Sequence, residues 1–262
     1  MPKIEIRSLS KSFPGPVNHG RVHALRDVDL TIERGDFFVI LGPSGCGKSS
    51  LLNVVAGLAE ADGGEVLIDG ERVGRPNPQK VAMMFQEAVL YPWRTVLRNV
   101  EFGLERRKIS AEERRVRALK YLRIVGLESF AGAYPRQLSG GMSQRVALCR
   151  ALAMETEIIL MDEPFGALDE QTRILLGQEL VEIWSQVGKT IVFVTHSITE
   201  AISLGEHVAI FTARPGSVKR IVPVNFPRPR KSGSPEFQNL VELLWTELRE
   251  ESMKAIGREN LS

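Results

Sequence analysis

Gly42-Pro43-Ser44-Gly45-Cys46-Gly47-Lys48-Ser49 fills every fixed position of the pattern G-x-x-x-x-G-K-[ST]. Glycines at those positions let successive backbone N–H groups turn inward and form an anion nest at the start of a helix. A helical segment is expected over residues 50–56, directly after the motif, so Ser50 belongs to the same nucleotide-contacting stretch. Lys48 is suited to lie along the β- and γ-phosphates of a nucleotide, and the Ser49 hydroxyl to ligate Mg²⁺. Downstream, Ile158-Ile159-Leu160-Met161-Asp162-Glu163 is an apolar run that ends in two carboxylates. Acids at the carboxyl end of a buried strand lie where ligands bind in open α/β sheets. Asp162 would hold Mg²⁺ through water, and Glu163 would orient and partly deprotonate an attacking water. The chain contains no Asn-Lys-x-Asp guanine-reading sequence, which favours adenine as the base.

A second run can also hold an anion. Ser139-Gly140-Gly141, within Leu138–Met142, precedes a helical stretch expected over 143–153. A hydroxyl and bare backbone N–H groups at a helix start favour negative charge. Read alone, the run is better taken as an N-cap with a tight turn. Nor does spacing exclude that both anion sites meet one nucleotide within a single chain.

These residues need a scaffold. Residues 37–41 form a continuous apolar run that ends in glycine, as a buried parallel strand would. Residues 158–161, 191–194 and 208–211 repeat that pattern, which predicts an α/β sheet covered on both faces. Residues 3–9 and 27–32 alternate as half-buried strands, and short strands near 65–68, 81–85 and 218–223 are expected to add an antiparallel part. The stretch from about 95 to 154 reads as helical, with Ser110 and Glu113 at capping-box spacing and Gly126 as a stop. Residues 225–235 read as an extended linker. Phe237, Leu240, Val241, Leu244 and Leu248 then recur at helical spacing.

Composition narrows the class. The 262 residues are 43% hydrophobic and 25% charged, which excludes global disorder. Thirty-four basic against thirty-two acidic side chains leave a net charge of +2, so bulk electrostatics favour no nucleic-acid partner. Two cysteines cannot form a disulfide framework, and a reducing compartment is the default. No secretory signal and no apolar run of spanning length is evident, so the chain reads as cytosolic without an anchor of its own.

Taken in order, the phosphate loop, Gln86, LSGGM, LMDE, Ala167-Leu168-Asp169 and His196 resemble the ATP-binding subunit of ABC transporters over roughly residues 3–215. LYPWRTVLRNVEFGL (90–104), MDEPFGALDEQTR (161–173) and FTARPG (211–216) are similar to the branch serving importers of nitrate, sulfonates and taurine. The resemblance implies a P-loop NTPase of the ABC ATPase type. Its mixed α/β sheet core carries an antiparallel β part and an inserted helical subdomain at about 88–156. The nucleotide-binding domain would span 1–225, followed by a linker and amphipathic helix at 226–262.

The resemblance also implies a mechanism. Two ATPase subunits, here a homodimer, pair head to tail, so that Ser139, Gly140 and Gly141 grip the γ-phosphate held by the partner's loop, with Asp169 at the interface. Gln86 reaches Mg²⁺ and the attacking water, His196 contacts the γ-phosphate, and Phe13 stacks on adenine. Tyr91, Pro92 and Trp93 line a groove that receives an integral membrane permease, while a periplasmic or extracellular solute-binding protein acts indirectly. The assembly would sit at the cytoplasmic face of the membrane as a peripheral subunit, with ATP and Mg²⁺ as cofactors. A soluble ABC ATPase acting on nucleic acid or ribosomes is the rival. It is disfavoured by the single phosphate loop and by the lack of inserted coiled coils or zinc-binding cysteines. Three departures from the family pattern, Ser50, Ser143 and Ser197, remove no atom that the chemistry requires. Cys149 reads as a small buried hydrophobe. The position of Cys46 inside the loop predicts that a thiol reagent inhibits the enzyme and that ATP protects it, read as labelling with and without nucleotide.

Overall fold

The computed structural model describes residues 2–15, 20–105 and 108–259, with side chains through residue 255. The chain divides into two compact units, Met1–Asn77 with Gly188–Ser262, and Pro78–Val187.

The first unit holds two sheets. One is antiparallel, in the order β2-β1-β4-β5, built from β1 (Ile4–Pro14), β2 (Arg21–Ile32), β4 (Gly63–Ile68) and the two-residue β5 (Glu71–Arg72). Strand β1 runs past the expected end at residue 9 because its pairing with β2 shifts register between Ile6 and Leu9 and again between Leu9 and Ser12. Each bulge moves side chains to the other face, so the alternation that marks a strand is lost while the pairing continues.

The second sheet of this unit is mixed. Strands β3 (Phe37–Leu41), β8 (Thr190–Thr195) and β9 (His207–Phe211) run parallel with β3 in the centre. Strand β10 (Val218–Pro223) pairs antiparallel with β9. Every residue of β3 and β8 is buried, which is why these segments lack polar alternation. Helices α1 (Lys48–Val55) and α6 (Ile198–Leu204) follow β3 and β8, and α7 (Pro235–Glu259) packs on α6 and β9.

In the second unit, β6 (Val81–Met84) pairs in parallel with β7 (Ile158–Asp162), Met84 opposite Met161. This corrects the expectation that residues 81–85 join an antiparallel part. The run Val-Ala-Met-Met is apolar throughout, as a parallel strand covered by helices requires, and α4 (Gly140–Ala153) packs on it. Helices α2 (Val96–Glu101) and α3 (Ala111–Ile124) pack on α4, and α5 (Glu170–Val187) follows β7. Ser110 caps α3 by accepting from Glu113 N at 3.1 Å, while the Glu113 carboxylate pairs with Arg117 instead of completing a capping box. Helix α4 begins three residues earlier than expected: Ser139 accepts from Met142 N at 3.2 Å, and both glycines lie in the first turn.

Residues 225–234, expected to be an extended linker, are tied to the first unit by two arginines. Arg228 donates to Leu204 O and pairs with Glu206. Arg230 donates to Ile202 O at 2.7 Å, to Val224 O at 3.1 Å and to Gly205 O, with its side chain only 2% exposed. Burial, reinforced by the neighbouring Arg228, pulls the Arg230 guanidinium down to about 10. The two arginines thus act as a staple. Beyond it, Phe237, Leu244 and Leu248 are buried under α7, Leu240 and Val241 are half-buried, and Glu251 accepts from Ala213 N at 2.9 Å. Arg230→Ala removes the donor to four carbonyls, those of Ile202, Gly205, Val224 and Phe226, and should lower the unfolding free energy by about 3 kcal/mol, the scale for breaking a buried charged network. Urea denaturation followed by circular dichroism reads this, and a loss near zero would contradict the staple.

Candidate nucleotide site

In the first unit, β3 ends at Leu41, the loop occupies Gly42–Gly47, and α1 starts at Lys48 with Gly47 as its N-cap residue. Gly47 has φ +105°, and a Cβ there would come within 2.5 Å of Ala24 O and 2.9 Å of the Leu25 side chain. A Cβ on Gly42 would meet Cys46 Sγ and Phe211 Cβ at 3.0 Å. The loop is therefore drawn against β2 and β9 at distances only glycine permits, which bares its N–H groups. Lys48 is 5% exposed, and its ammonium donates to Gly42 O and Pro43 O, each at 2.9 Å. That fixes a positive charge across the loop, and the first turn of α1 carries no acid to offset the helix dipole. Pro43 is buried, Ser44, Gly45 and Ser49 are exposed, and Ser50 is half-buried.

Cys46 is buried, so the expectation of ready labelling by a thiol reagent is not supported: the sulfur lies beneath the loop against Gly42. A thiol must ionise and be reachable to react. Cys149 is also fully buried, its thiol is pushed up by burial, and it donates to Tyr121 O at 3.3 Å.

Strand register brings a second group to the loop. Leu41 pairs with Thr195 in the parallel β3–β8 ladder, so Gly42 and His196 leave neighbouring strands at the same end. Adjacent strands lie about 4.8 Å apart. His196 is exposed, and the turn after it is held firmly. Thr195 Oγ1 donates to Glu200 at 2.5 Å and accepts from Ser197 N at 3.0 Å, while Ser197 caps α6 by accepting from Glu200 N at 3.3 Å. Ser197 therefore performs the capping an aspartate would. Phe13 is a half-exposed ring near the end of β1, with Lys11 Nζ 5.3 Å from its centroid.

The second unit gathers the remaining groups at one strand edge. Because Met84 pairs with Met161, Gln86 and the acids Asp162 and Glu163 leave β6 and β7 at the same end. Asp162 is buried and Gln86 is exposed. Glu163 is half-buried and has φ +43°, a left-handed conformation that costs a non-glycine residue roughly 1–2 kcal/mol. The turn is closed by Gly166 N donating to Glu163 O at 3.1 Å. Strain of this kind collects where a side chain must be aimed. Asp169 caps α5, accepting from Thr172 N at 3.0 Å and Thr172 Oγ1 at 2.7 Å, and these bonds hold its carboxyl below the usual range. At the start of α4, a Cβ on Gly140 would meet nothing within 4 Å, whereas one on Gly141 would meet Leu168 at 3.2 Å.

Tyr91, Pro92 and Trp93 form a turn whose tip is Trp93, 72% exposed, with its ring 5.6 Å from Tyr91. Sequence reasoning missed what builds it. Asn99, fully buried on α2, accepts from Tyr91 N at 2.8 Å and donates to the carbonyls of Tyr91, Arg94 and Thr95. The Arg150 guanidinium sits 5.6 Å from the Tyr91 ring centroid. A lone asparagine in a short helix carries no signal of such a role.

The donors fit the expected ligands. The glycine cradle and Lys48 suit phosphate, and the Ser49 hydroxyl, Gln86 amide and Asp162 carboxylate are hard oxygen donors of the kind Mg²⁺ takes. Among the described residues no group of three or more His, Cys, Asp or Glu forms a metal cage.

Residues 25–166, from within β2 to just beyond β7, match the family model described as ABC transporter. The chain belongs to the ABC transporter family. It is an ABC ATPase, the ATP-binding and ATP-hydrolysing subunit of such a transporter. The ATPase is 46% identical to the ABC transporter ATP-binding protein MJ0412 of Methanocaldococcus jannaschii, over 97% of this chain and 94% of the relative. It is 44% identical to the nitrate import ATP-binding protein NrtD of Synechocystis, over 86% and 83% of the two chains. It is 41% identical to the aliphatic sulfonates import ATP-binding protein SsuB of Bacillus cereus, over 90% and 92%. Among solved structures it is similar to the ATP-binding cassette MJ0796, a dimer in a post-hydrolysis state bound to ADP and phosphate. There the TM-score is 0.77 at 37% identity, covering 86% of this chain and all of the other. In this ABC ATPase no described helix is long and apolar enough to cross a membrane.

Gly47→Ala should weaken ATP binding by about a hundredfold, because the strained backbone and the clash with Ala24 O must both be relieved by lifting the loop. Fluorescent-nucleotide titration reads the loss, and near-normal affinity would show that the loop is not the phosphate cradle.

Proposed function

We infer that this ATPase powers import of a small solute of the nitrate, sulfonate or taurine kind through a separate membrane permease. The similarity to nitrate and sulfonate import subunits over most of the chain carries the choice of solute class. ATP would lie with its phosphates in the loop 42–49 and its base against Phe13. Glu163 takes a proton from water as the water oxygen bonds to the γ-phosphorus; the bond from that phosphorus to the β,γ-bridging oxygen breaks, leaving ADP and phosphate. His196 and Gln86 hold the water and the γ-phosphate in line, and Lys48 offsets the charge that gathers on the leaving group. Mg²⁺, when bound through Ser49, Asp162 and Gln86, supplies further charge neutralisation.

Two copies would pair head to tail, each offering Ser139, Gly140 and Gly141 to the nucleotide of the other, with Asp169 at the interface. The dimeric relative bound to ADP and phosphate supports this. The domain organisation of 1–225 with a helical part at about 88–156, followed by 226–262, belongs to the same reading, as does a peripheral position at the cytoplasmic membrane face. The exposed Trp93 beside Tyr91 and Pro92 suits a docking anchor for the permease, since tryptophan and tyrosine are enriched among the residues that dominate interface energetics. A solute-binding protein outside the membrane would deliver the cargo.

Glu163→Gln keeps the shape but loses the base, so turnover should fall by about 10²–10⁴-fold while ATP still binds. ATP should then trap a dimer in light scattering; normal hydrolysis by a monomer would sink the assignment. Ser139→Trp should stop hydrolysis and leave binding to the isolated chain intact, measured by calorimetry. Collapse of nucleotide binding itself would count against the cross-dimer arrangement. The solute is tested by reconstituting the ATPase with its co-purifying permease and binding protein. Nitrate, alkanesulfonates or taurine should stimulate ATP hydrolysis, and stimulation by none of them overturns the solute class.

A further inference from the structure

Gln144 is the residue whose surroundings the mechanism above leaves unused. It lies on α4, five residues after Ser139, and is 3% exposed. A buried primary amide needs partners, since leaving it unpaired costs of order 1–3 kcal/mol. Its Nε2 donates to the backbone carbonyl of Gln86 at 3.2 Å, across 58 residues of chain. The side chain of Gln86 is exposed, so the bond grips the backbone and leaves the Gln86 amide available to act. On its other side Gln86 follows β6, which is laddered to β7 up to the residue before Asp162. The backbone of Gln86 therefore sits between β6, which is paired with the strand that ends at Asp162, and a helix whose first turn holds Ser139, Gly140 and Gly141. A shift of a few tenths of an ångström takes a 3.2 Å bond beyond hydrogen-bonding range.

We propose that Gln144 is a positioning residue that ties the placement of Gln86 to the placement of the Ser139–Gly141 turn, and so makes the two ATP sites of the dimer cooperative. The inference rests on the head-to-tail reading. When Gln86 follows the γ-phosphate in its own site, the bond from Gln144 carries that movement into α4. The N-terminus of α4 in turn faces the nucleotide bound by the partner copy. Packed interiors transmit such shifts because they are bistable and not continuously soft.

The test uses the full-length chain with Gln144→Met, which keeps volume but has no donor, and Gln144→Glu, which sets a carboxylate against the carbonyl. Both are measured beside the wild type and Glu163→Gln. Affinity for ATP at a single site should stay within about twofold. The maximal ATPase rate should fall by about threefold to tenfold, the worth of one net hydrogen bond. The Hill coefficient for ATP should drop from above 1 in the wild type to about 1, a change that loss of packing alone would not produce.

A variant that folds and keeps the wild-type Hill coefficient overturns the proposal. A wild type that dimerises on ATP yet shows no cooperativity overturns it as well. A Glu163→Gln chain that never dimerises removes the head-to-tail reading and this inference together, which separates the two failures. If neither variant folds, amide hydrogen exchange on the wild-type protein decides the matter. Adding a non-hydrolysable ATP analogue should change protection at residues 85–87 and 140–146 together, and a change at 85–87 alone overturns the coupling.

Discussion

The phosphate loop depends on the close approach of Gly47 to the backbone of β2. With no Cβ, the loop settles where a methyl group would lie 2.5 Å from Ala24 O. In that position Gly47 takes its left-handed φ, α1 begins at the next residue, and the Lys48 side chain turns back over the loop to the carbonyls of Gly42 and Pro43. An ammonium is strongly hydrated, and the two carbonyl acceptors replace the water that Lys48 loses on burial. The in-register β3–β8 pairing then brings His196 out beside Gly42. A change that lifted the loop off β2 would move the phosphate cradle and the lysine together.

The same logic governs Glu163. A carboxylate held at φ +43° is strained, and the closing bond from Gly166 N keeps it there. The neighbouring Asp162 ends the buried strand in ordinary geometry and faces a different requirement. Metal binding needs a carboxylate at a fixed depth, whereas activating a water needs one aimed off the strand axis. Two adjacent acids with different backbone conformations suit the metal-holding and base roles proposed for them.

The groups proposed to hold the nucleotide are legible because that chemistry demands particular atoms at particular spacings: a glycine where a Cβ would clash, a lysine one residue on, acids after an apolar run. The buried parallel strands were legible for a related reason, since burial on both faces suppresses polar alternation. Strand β6 was misjudged because four apolar residues do not announce their partner's direction. Strand β1 was cut short because its bulges erase the period of two. Gln144, Asn99 and Arg230 left no trace in the sequence. Each works through side chain to backbone bonds whose partners are set by tertiary placement, and Gln144 reaches 58 residues away. A linker rich in proline and arginine reads as solvated until its arginines are seen to be buried.

Two residues that the family pattern assigns to function also cap helices, Ser139 for α4 and Asp169 for α5, and Ser197, just after His196, caps α6. Capping and ligand contact are compatible because of how the oxygen atoms are used. The Ser139 hydroxyl accepts from Met142 N at 3.2 Å through one lone pair, which leaves its own hydrogen free to donate. A phosphate oxygen wants that donor. The cap therefore aims the hydroxyl without consuming what the phosphate needs, and it holds the following N–H groups in the helical geometry that favours an anion. Asp169 has no hydrogen to give once ionised, and its carboxylate, held below the usual range by Thr172, stays an acceptor. It can meet only donors across an interface, such as backbone N–H groups or basic side chains, and not a phosphate. Between the starts of α4 and α5, that of α4 is therefore the one chemically able to grip nucleotide.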